Sequence, residues 1–202
     1  MAAEIIDIAR LTPRPWKNGA GVTRELAVHP PGAAMDDFDW RVSIAEVASD
    51  ARFSAFPGVD RCIVLLQGAG MRLRSDDGRL DRRLADVLEP FHFSGDDALQ
   101  AHLIDGPSSD FNVMTRRGRW RAELTPVRGF HESGSSTAAV LLCCSGEAAL
   151  SGCDQPMTLS AGQAALWRHD APGLRITPTS SSTMLLVQLH RLCEDADAKP
   201  CA

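Results

Sequence analysis

No two of the six histidines in this 202-residue chain stand as H-x-H, and no two of its six cysteines stand as C-x-x-C. The first absence removes the closely spaced imidazole pair with which one strand grips a divalent metal. The second leaves an even number of cysteines without a framework. With no export signal in view, they read as free, buried thiols in a reducing compartment, so the cytoplasm is the expected location. The first eleven residues carry Glu4 and Asp7 and no basic region, which does not read as a signal peptide. No apolar run approaches the length that crosses a bilayer. The longest, residues 138–144, suits a buried strand. H-E-x-x-H, G-x-S-x-G and the phosphate loop are missing as well. The stretch Asn18-Gly19-Ala20-Gly21-Val22-Thr23 lacks the Gly-Lys-Thr ending of such a loop.

What is present is ordinary in bulk and specific in detail. Hydrophobic residues make up 44% and charged residues 23%, as in a soluble globular chain with a sizeable core. The net charge of -5, from 21 Lys+Arg against 26 Asp+Glu, argues against a nucleic-acid partner, which needs a basic surface. Local arginines leave room for an anion site.

Short alternating or apolar runs, cut by Gly, Pro, Asp and Ser, predict an all-β fold. The clearest strand covers residues 38–47. Phe38, Trp40, Val42 and Ile44 fall on one face, with Asp39, Arg41 and Ser43 on the other. An apolar run at 63–66 meets Gly68-Ala69-Gly70, then Met71 and Leu73 alternate with Arg72 and Arg74. Further strands are expected near 119–124, 139–143, 147–150, 164–167, 174–177 and 183–189. Residues 80–88 fit a short helical turn or a strand, and 194–202 read as a frayed end.

A weak internal repeat organises these runs. RCIVLLQGAGMRL at 61–73 and AAVLLCCSGEAAL at 138–150 are each a strand, a Gly-centred turn and a second strand. LSAGQAALW at 159–167 follows the second copy, as 88–95 follows the first. This order resembles the later half of a cupin motif set. It predicts a bicupin of two jelly-roll barrels, residues 1–118 and 119–202, with strands exchangeable between them. Typical cupins hold a metal with H-x-H, a nearby Glu and a later His. Here Phe53, Phe56, Asp60 and Arg61 stand where the first barrel would place ligands. His131-Glu132 and His169-Asp170 read as surface turns. Neither a metal nor another cofactor is expected.

Three clusters carry a closer resemblance. The first runs Pro15-Trp16-Lys17-Asn18-Gly19-Ala20-Gly21-Val22-Thr23-Arg24-Glu25. The second runs from Phe38-Asp39-Trp40-Arg41-Val42-Ser43 through Phe53-Ser54-Ala55-Phe56-Pro57-Gly58 to Arg61. The third holds Gly106-Pro107, Asp110-Phe111-Asn112-Val113-Met114 and Arg116-Arg117. Together they resemble the HutD/Ves family over roughly the first 120 residues. Ala20 departs from it, since the family loop usually carries glycine there. The resemblance implies a metal-free bicupin that often accompanies histidine-utilisation enzymes. It further implies binding of a pathway metabolite such as N-formylglutamate or urocanate to limit flux, with other members linked to stress response.

The residues themselves suit a small anionic metabolite. Gly19 and Gly21 let the chain turn so as to display Trp16, Lys17 and Asn18 together. Arg41 and Ser43 share a strand face, and Arg61 begins the next core strand. Phe91 and Phe93 line the first barrel, with His92 on the opposite face. These eight residues, Trp16, Lys17, Asn18, Arg41, Ser43, Arg61, Phe91 and Phe93, form the expected ligand site. Each charge-assisted hydrogen bond there is worth about 1.5–3 kcal/mol. Several have a structural alternative. Arg41 has Asp39, Glu46 or Asp60 as partners, Arg61 has Asp60, and Trp16 serves equally as a core plug. Asp110 and Asn112 fit a turn cap as well as a site. The leading function is a non-catalytic binding regulator. The alternative is a cupin-type enzyme, either a metal-dependent oxygenase or an isomerase using His92 or Glu46. Exposed strand edges leave a homodimer open.

Overall fold

The computed structural model describes residues 2–192; the segment 194–202, expected to fray, lies outside the described residues, as do Cys193 and Cys201. The first-half strands are β1 (Glu4–Asp7), β2 (Arg14–Pro15), β3 (Gly21–His29), β4 (Trp40–Val47), β5 (Ala51–Phe53), β6 (Val59–Gln67), β7 (Met71–Ser75), β8 (Asp81–Leu84), β9 (Pro90–Ser94), β10 (Leu99–Leu103) and β11 (Ser108–Arg116). The second-half strands are β12 (Trp120–Val127), β13 (His131–Glu132), β14 (Ala138–Ser145), β15 (Glu147–Ser151), β16 (Met157–Ser160), β17 (Gln163–Trp167), β18 (Arg175–Pro178) and β19 (Thr183–Arg191). A single 3-10 turn, Ile8–Arg10, interrupts them among the described residues. No helix there is long and apolar enough to cross a membrane.

The strands pair antiparallel in four sheets, ordered β2-β3-β4-β11-β6-β9, β5-β10-β7-β8, β1-β17-β14-β19-β12 and β13-β18-β15-β16. The order β4-β11-β6-β9 of the first half recurs as β12-β19-β14-β17 in the second. In the same way β5-β10-β7-β8 recurs as β13-β18-β15-β16. The repeat glimpsed in the sequence is therefore a repeat of topology. In place of the two closed barrels expected, the strands form two pairs of sheets packed face to face, and no sheet closes on itself.

The Gly-centred turns do not close hairpins, as the local pattern had implied. β6 and β7 belong to different sheets, and so do β14 and β15. The turn carries the chain around the corner from one sheet to its partner. Gly68 and Gly70 make this possible with φ of +95° and +88°. A Cβ on Gly70 would stand 1.9 Å from the Leu84 carbonyl oxygen, so the corner admits no side chain.

Alternation along each inner strand fills two cores at once, which is why these strands read as nearly continuous apolar runs. On β14, Val140 and Leu142 face the layer between the two halves, while Leu141 and Cys143 face the second half's own interior. On β6, Cys62 and Val64 face the middle layer, and Ile63 and Leu65 face the first half's interior. Trp40, Val42 and Ile44 of β4 join the middle layer as expected. Phe38 does not share their strand. It precedes β4 and packs with Val28, Val59 and Met114 instead. Residues 80–88 hold the strand β8 and no helix. The N-terminal β1 crosses over to the second half's sheet, pairing Ile6 with Ala164.

Candidate functional site

The faces of β4, β6 and β11 that turn away from the middle layer meet the β5-β10-β7-β8 sheet only in part. Between them lies an open cavity of about 820 Å³. Arg41, Ser43 and Ala45 of β4 line it, with Arg61 of β6 and Asp110, Asn112 and Met114 of β11. The segment Arg14 to Asn18, the exposed Met35 and Asp36, and the stretch Arg52 to Phe56 stand around them.

The loop at the mouth is shaped by backbone bonds. Gly19 N–H donates to the Trp16 carbonyl at 3.0 Å, and Trp16 N–H to the Gly21 carbonyl at 2.9 Å. Asn18 Oδ1 accepts from the Ala20 N–H at 3.1 Å, the turn-capping role that Asn before Gly supports. Gly21 lies against β4, where a Cβ would stand 2.5 Å from the Glu46 carbonyl oxygen. Trp16 combines both roles the sequence left open. Its Nε1–H donates to Thr23 Oγ1 at 2.7 Å, and its ring meets Phe53 edge-on at 5.7 Å, so it packs while one face lines the cavity. Lys17 and Asn18 stand exposed on the rim.

Arg41 has an ion-pair partner, and it is none of the three expected. Its Nε donates to Glu25 Oε2 at 2.7 Å, across the β3–β4 ladder. Asp39 instead meets Arg119 at 2.9 Å, Glu46 meets Arg24, and Asp60 meets Arg117 at 2.7 Å. Arg117 also reaches Asp96 at 2.7 Å and so ties the start of β6 to the turn after β9. The Gly58 N–H, then the Arg117 bond and the Ser94 hydroxyl, hold the Asp96 carboxyl down at about 2.

Arg61 is the unusual member. It is 7% exposed, and no carboxylate pairs with it among the described residues. Nη1 donates to the Ser54 carbonyl at 3.4 Å and Nη2 to Asn112 Oδ1 at 3.2 Å, while Nε has no partner in the protein. The guanidinium carbon lies 5.8, 5.5 and 4.9 Å from the ring centres of Phe53, Phe56 and Phe93. Removal from water lowers its pKa to about 10, which still leaves it a cation at neutral pH.

Asn112 passes the contact on. Its Nδ2 donates to Asp110 Oδ1, so a chain runs from Arg61 through Asn112 to Asp110. Asp110 is fully buried, and its Oδ2 has no partner in the protein. Burial raises its pKa to about 7, against the opposing pull of Asn112 and Arg61. Both residues sit mid-strand on β11, so neither caps a turn.

Six of the eight expected residues thus converge on one cavity: Trp16, Lys17, Asn18, Arg41, Ser43 and Arg61. Phe91 and Phe93 are not on its wall. Phe93 supports Arg61 from behind, and Phe91 stacks on Phe93 with ring centres 5.7 Å apart. Glu25, Asp110 and Asn112 were not among the expected site residues. The signal for the last two was the alternation of Asp110, Asn112 and Met114 with buried Phe111 and Val113. Of the two acid–base candidates, Glu46 is exposed in its ion pair. His92 lies over Cys62 on the other face of the sheet, Nε2 to Sγ 3.6 Å, beside a smaller cavity of about 390 Å³. Burial pushes the Cys62 thiol up to about 12, so it is not a ready nucleophile. Among the described residues no three His, Cys, Asp or Glu side chains cluster as a metal site.

Comparison with known proteins bears on the family and the fold. A family model described as HutD matches residues 9–186. Protein Ves of Cronobacter sakazakii is 35% identical over 174 residues, covering 86% of this chain and 91% of that protein. A conserved protein of unknown function from Pseudomonas aeruginosa superposes with a TM-score of 0.84 at 32% identity, over 94% of this chain and all (100%) of that one. The structure of HutD from Pseudomonas fluorescens superposes with a TM-score of 0.81 at 31% identity, over 95% and 100% of the two chains. For the fold alone, a cupin 2 conserved barrel domain protein from Leptotrichia buccalis gives a TM-score of 0.57 at 11% identity, over 93% and 97% of the two chains. The fold is all-β and cupin-like, and the chain belongs to the HutD/Ves family.

Proposed function

We propose that this protein is a non-catalytic binding regulator, and that the cavity between β4, β6, β11 and β5 receives a small carboxylate with an apolar body. The observation that carries this reading is Arg61. A buried cation costs free energy unless something compensates it. Its protein partners are a carbonyl and an amide, and Nε remains free. A ligand carboxylate would supply the missing anion through charge-assisted bonds, while Trp16, Phe53 and Phe56 pack its apolar part. N-formylglutamate and urocanate, carboxylates of histidine degradation, have this chemistry, and each sheet pair is read here as one cupin-like unit of a bicupin. The test is thermal unfolding of the full chain with each compound at millimolar concentration. Ligand at 100 times its Kd adds about 2.7 kcal/mol, a shift of several degrees for a chain this size. A midpoint unmoved by both compounds would sink the proposal.

A second reading, an isomerase, draws on Asp110, a buried carboxyl in the same cavity with a pKa near neutrality. Turnover of either compound, followed by NMR, would replace the first reading with this one.

A further inference from the structure

Two buried polar atoms of the same cavity have no partner in the protein: Nε of Arg61 and Oδ2 of Asp110. They sit at the two ends of the Arg61–Asn112–Asp110 chain. An ionised Asp110 offers an incoming carboxylate only repulsion. A protonated Asp110 offers an O–H donor at the oxygen that lacks a bond. We infer that binding of a carboxylate here takes up one proton on Asp110, whose Oδ2–H then donates to the bound anion beside Arg61.

This inference rests on the carboxylate-binding reading of the cavity and adds how that site is regulated. The charge count of the cavity floor supports it. Arg41 is neutralised by Glu25 at 2.7 Å, so the pair adds no net charge. That leaves Arg61 as the one buried cation for at least two carboxylates, one or more from the ligand and that of Asp110, if Asp110 stays ionised. In a buried site such a surplus is relieved by protonating the weaker acid. No other charge stands close to Asp110. Its ladder neighbours are Ala45 on β4 and Leu65 on β6. Across the cavity stand Phe53, Ser54, Ala55, Phe56 and Ala98, none of them charged. Lys17, Arg14, Arg52 and Asp36, the other charged residues lining the cavity, belong to the exposed rim, where solvent screens them, and Arg52 is already engaged by Asp76. Burial has also brought Asp110 close to neutrality before any ligand arrives, so the proton is available at little cost near pH 7.

The test is calorimetry of the full chain with N-formyl-L-glutamate, whose carboxyls do not titrate near neutral pH, in pairs of buffers that carry no carboxylate or phosphate, differ in heat of ionisation and buffer at the pH used. The difference in observed heat counts the protons taken up. At about pH 8 the count should approach one, falling toward zero at about pH 5.5, where free Asp110 is already protonated. The Kd should rise about tenfold per pH unit above 7. In Asp110→Asn the affinity, whatever its value, should no longer depend on pH in this range. Binding with no proton uptake at pH 8 would overturn this inference and leave the carboxylate site standing. No binding at all would overturn both. The wild-type proton count decides the matter even if the variant does not fold.

Discussion

Arg61 Nη2 donates to Asn112 Oδ1 at 3.2 Å, so the buried arginine of the cavity meets an amide where an ion pair would normally stand. An amide satisfies a donor without cancelling its charge. The protein therefore carries a buried cation to which no carboxylate is bonded directly, and stability is given up for it. Arg61→Met keeps the bulk of the side chain and a polarisable atom against Phe53, Phe56 and Phe93. The expected outcome is loss of the thermal shift with carboxylates and an unfolding free energy equal to wild type or higher by about 1–2 kcal/mol. Denaturant titration with and without ligand checks both halves. A variant that unfolds more easily while still responding to ligand would assign Arg61 to structure alone.

Asp110 makes a separate prediction about stability without ligand. Its folded pKa, about 7, lies above the ordinary carboxylate value of 3.8. The folded state therefore holds this proton more tightly than the unfolded one. Its contribution is fully present below about pH 4 and is lost as the pH rises toward 7. Asp110→Asn removes the slope. Its advantage over wild type should grow between about pH 4 and 7 and then level off, at a few kcal/mol in order of magnitude. Paired urea curves at stepped pH measure this, and the difference isolates Asp110 from the other carboxyls.

Trp16 should report on the cavity by its fluorescence. Trp40, Trp120 and Trp167 are buried in the layers between sheets, whereas Trp16 is half-buried on the cavity wall. A ligand seated there should change the emission of the wild-type protein, and Trp16→Phe should abolish most of that change. If the full response survives in the variant, the ligand sits elsewhere.

The crossing of β1 to the second half predicts a cost for shortening its one buried side chain. Ile6, 7% exposed, enters the middle layer with Leu166 and Val140. Ile6→Ala should lower stability by about 2–4 kcal/mol with carboxylate binding retained, as the cavity lies in another layer. A loss below 1 kcal/mol in chemical denaturation would mean that β1 is not held as described.

Much of this was legible in the chain. Trp40, Val42 and Ile44 alternate with Arg41 and Ser43, and the period of two alone placed the arginine and serine on one face. The glycines at 68 and 70 marked a turn. Whether that turn closed a hairpin or changed sheets was decided by the pairing of β6 with β9 and β11 and of β7 with β8 and β10. Asp110 and Asn112 stayed open between turn cap and site because both residue types also cap turns, and only the pairing of β11 between β4 and β6 shows them to be mid-strand.

By itself the sequence determined an all-β chain, the repeat, the family and the want of metal-ligand spacing, because each follows from local periodicity or from residues adjacent in the chain. Only the tertiary structure decided which charge meets which. Glu25 reaches Arg41 from 16 residues away, and Arg61 reaches Asn112 across 51. Those partners are chosen by the register between strands, and register is set by how the two halves fill their shared core rather than by anything within reach of either residue along the chain.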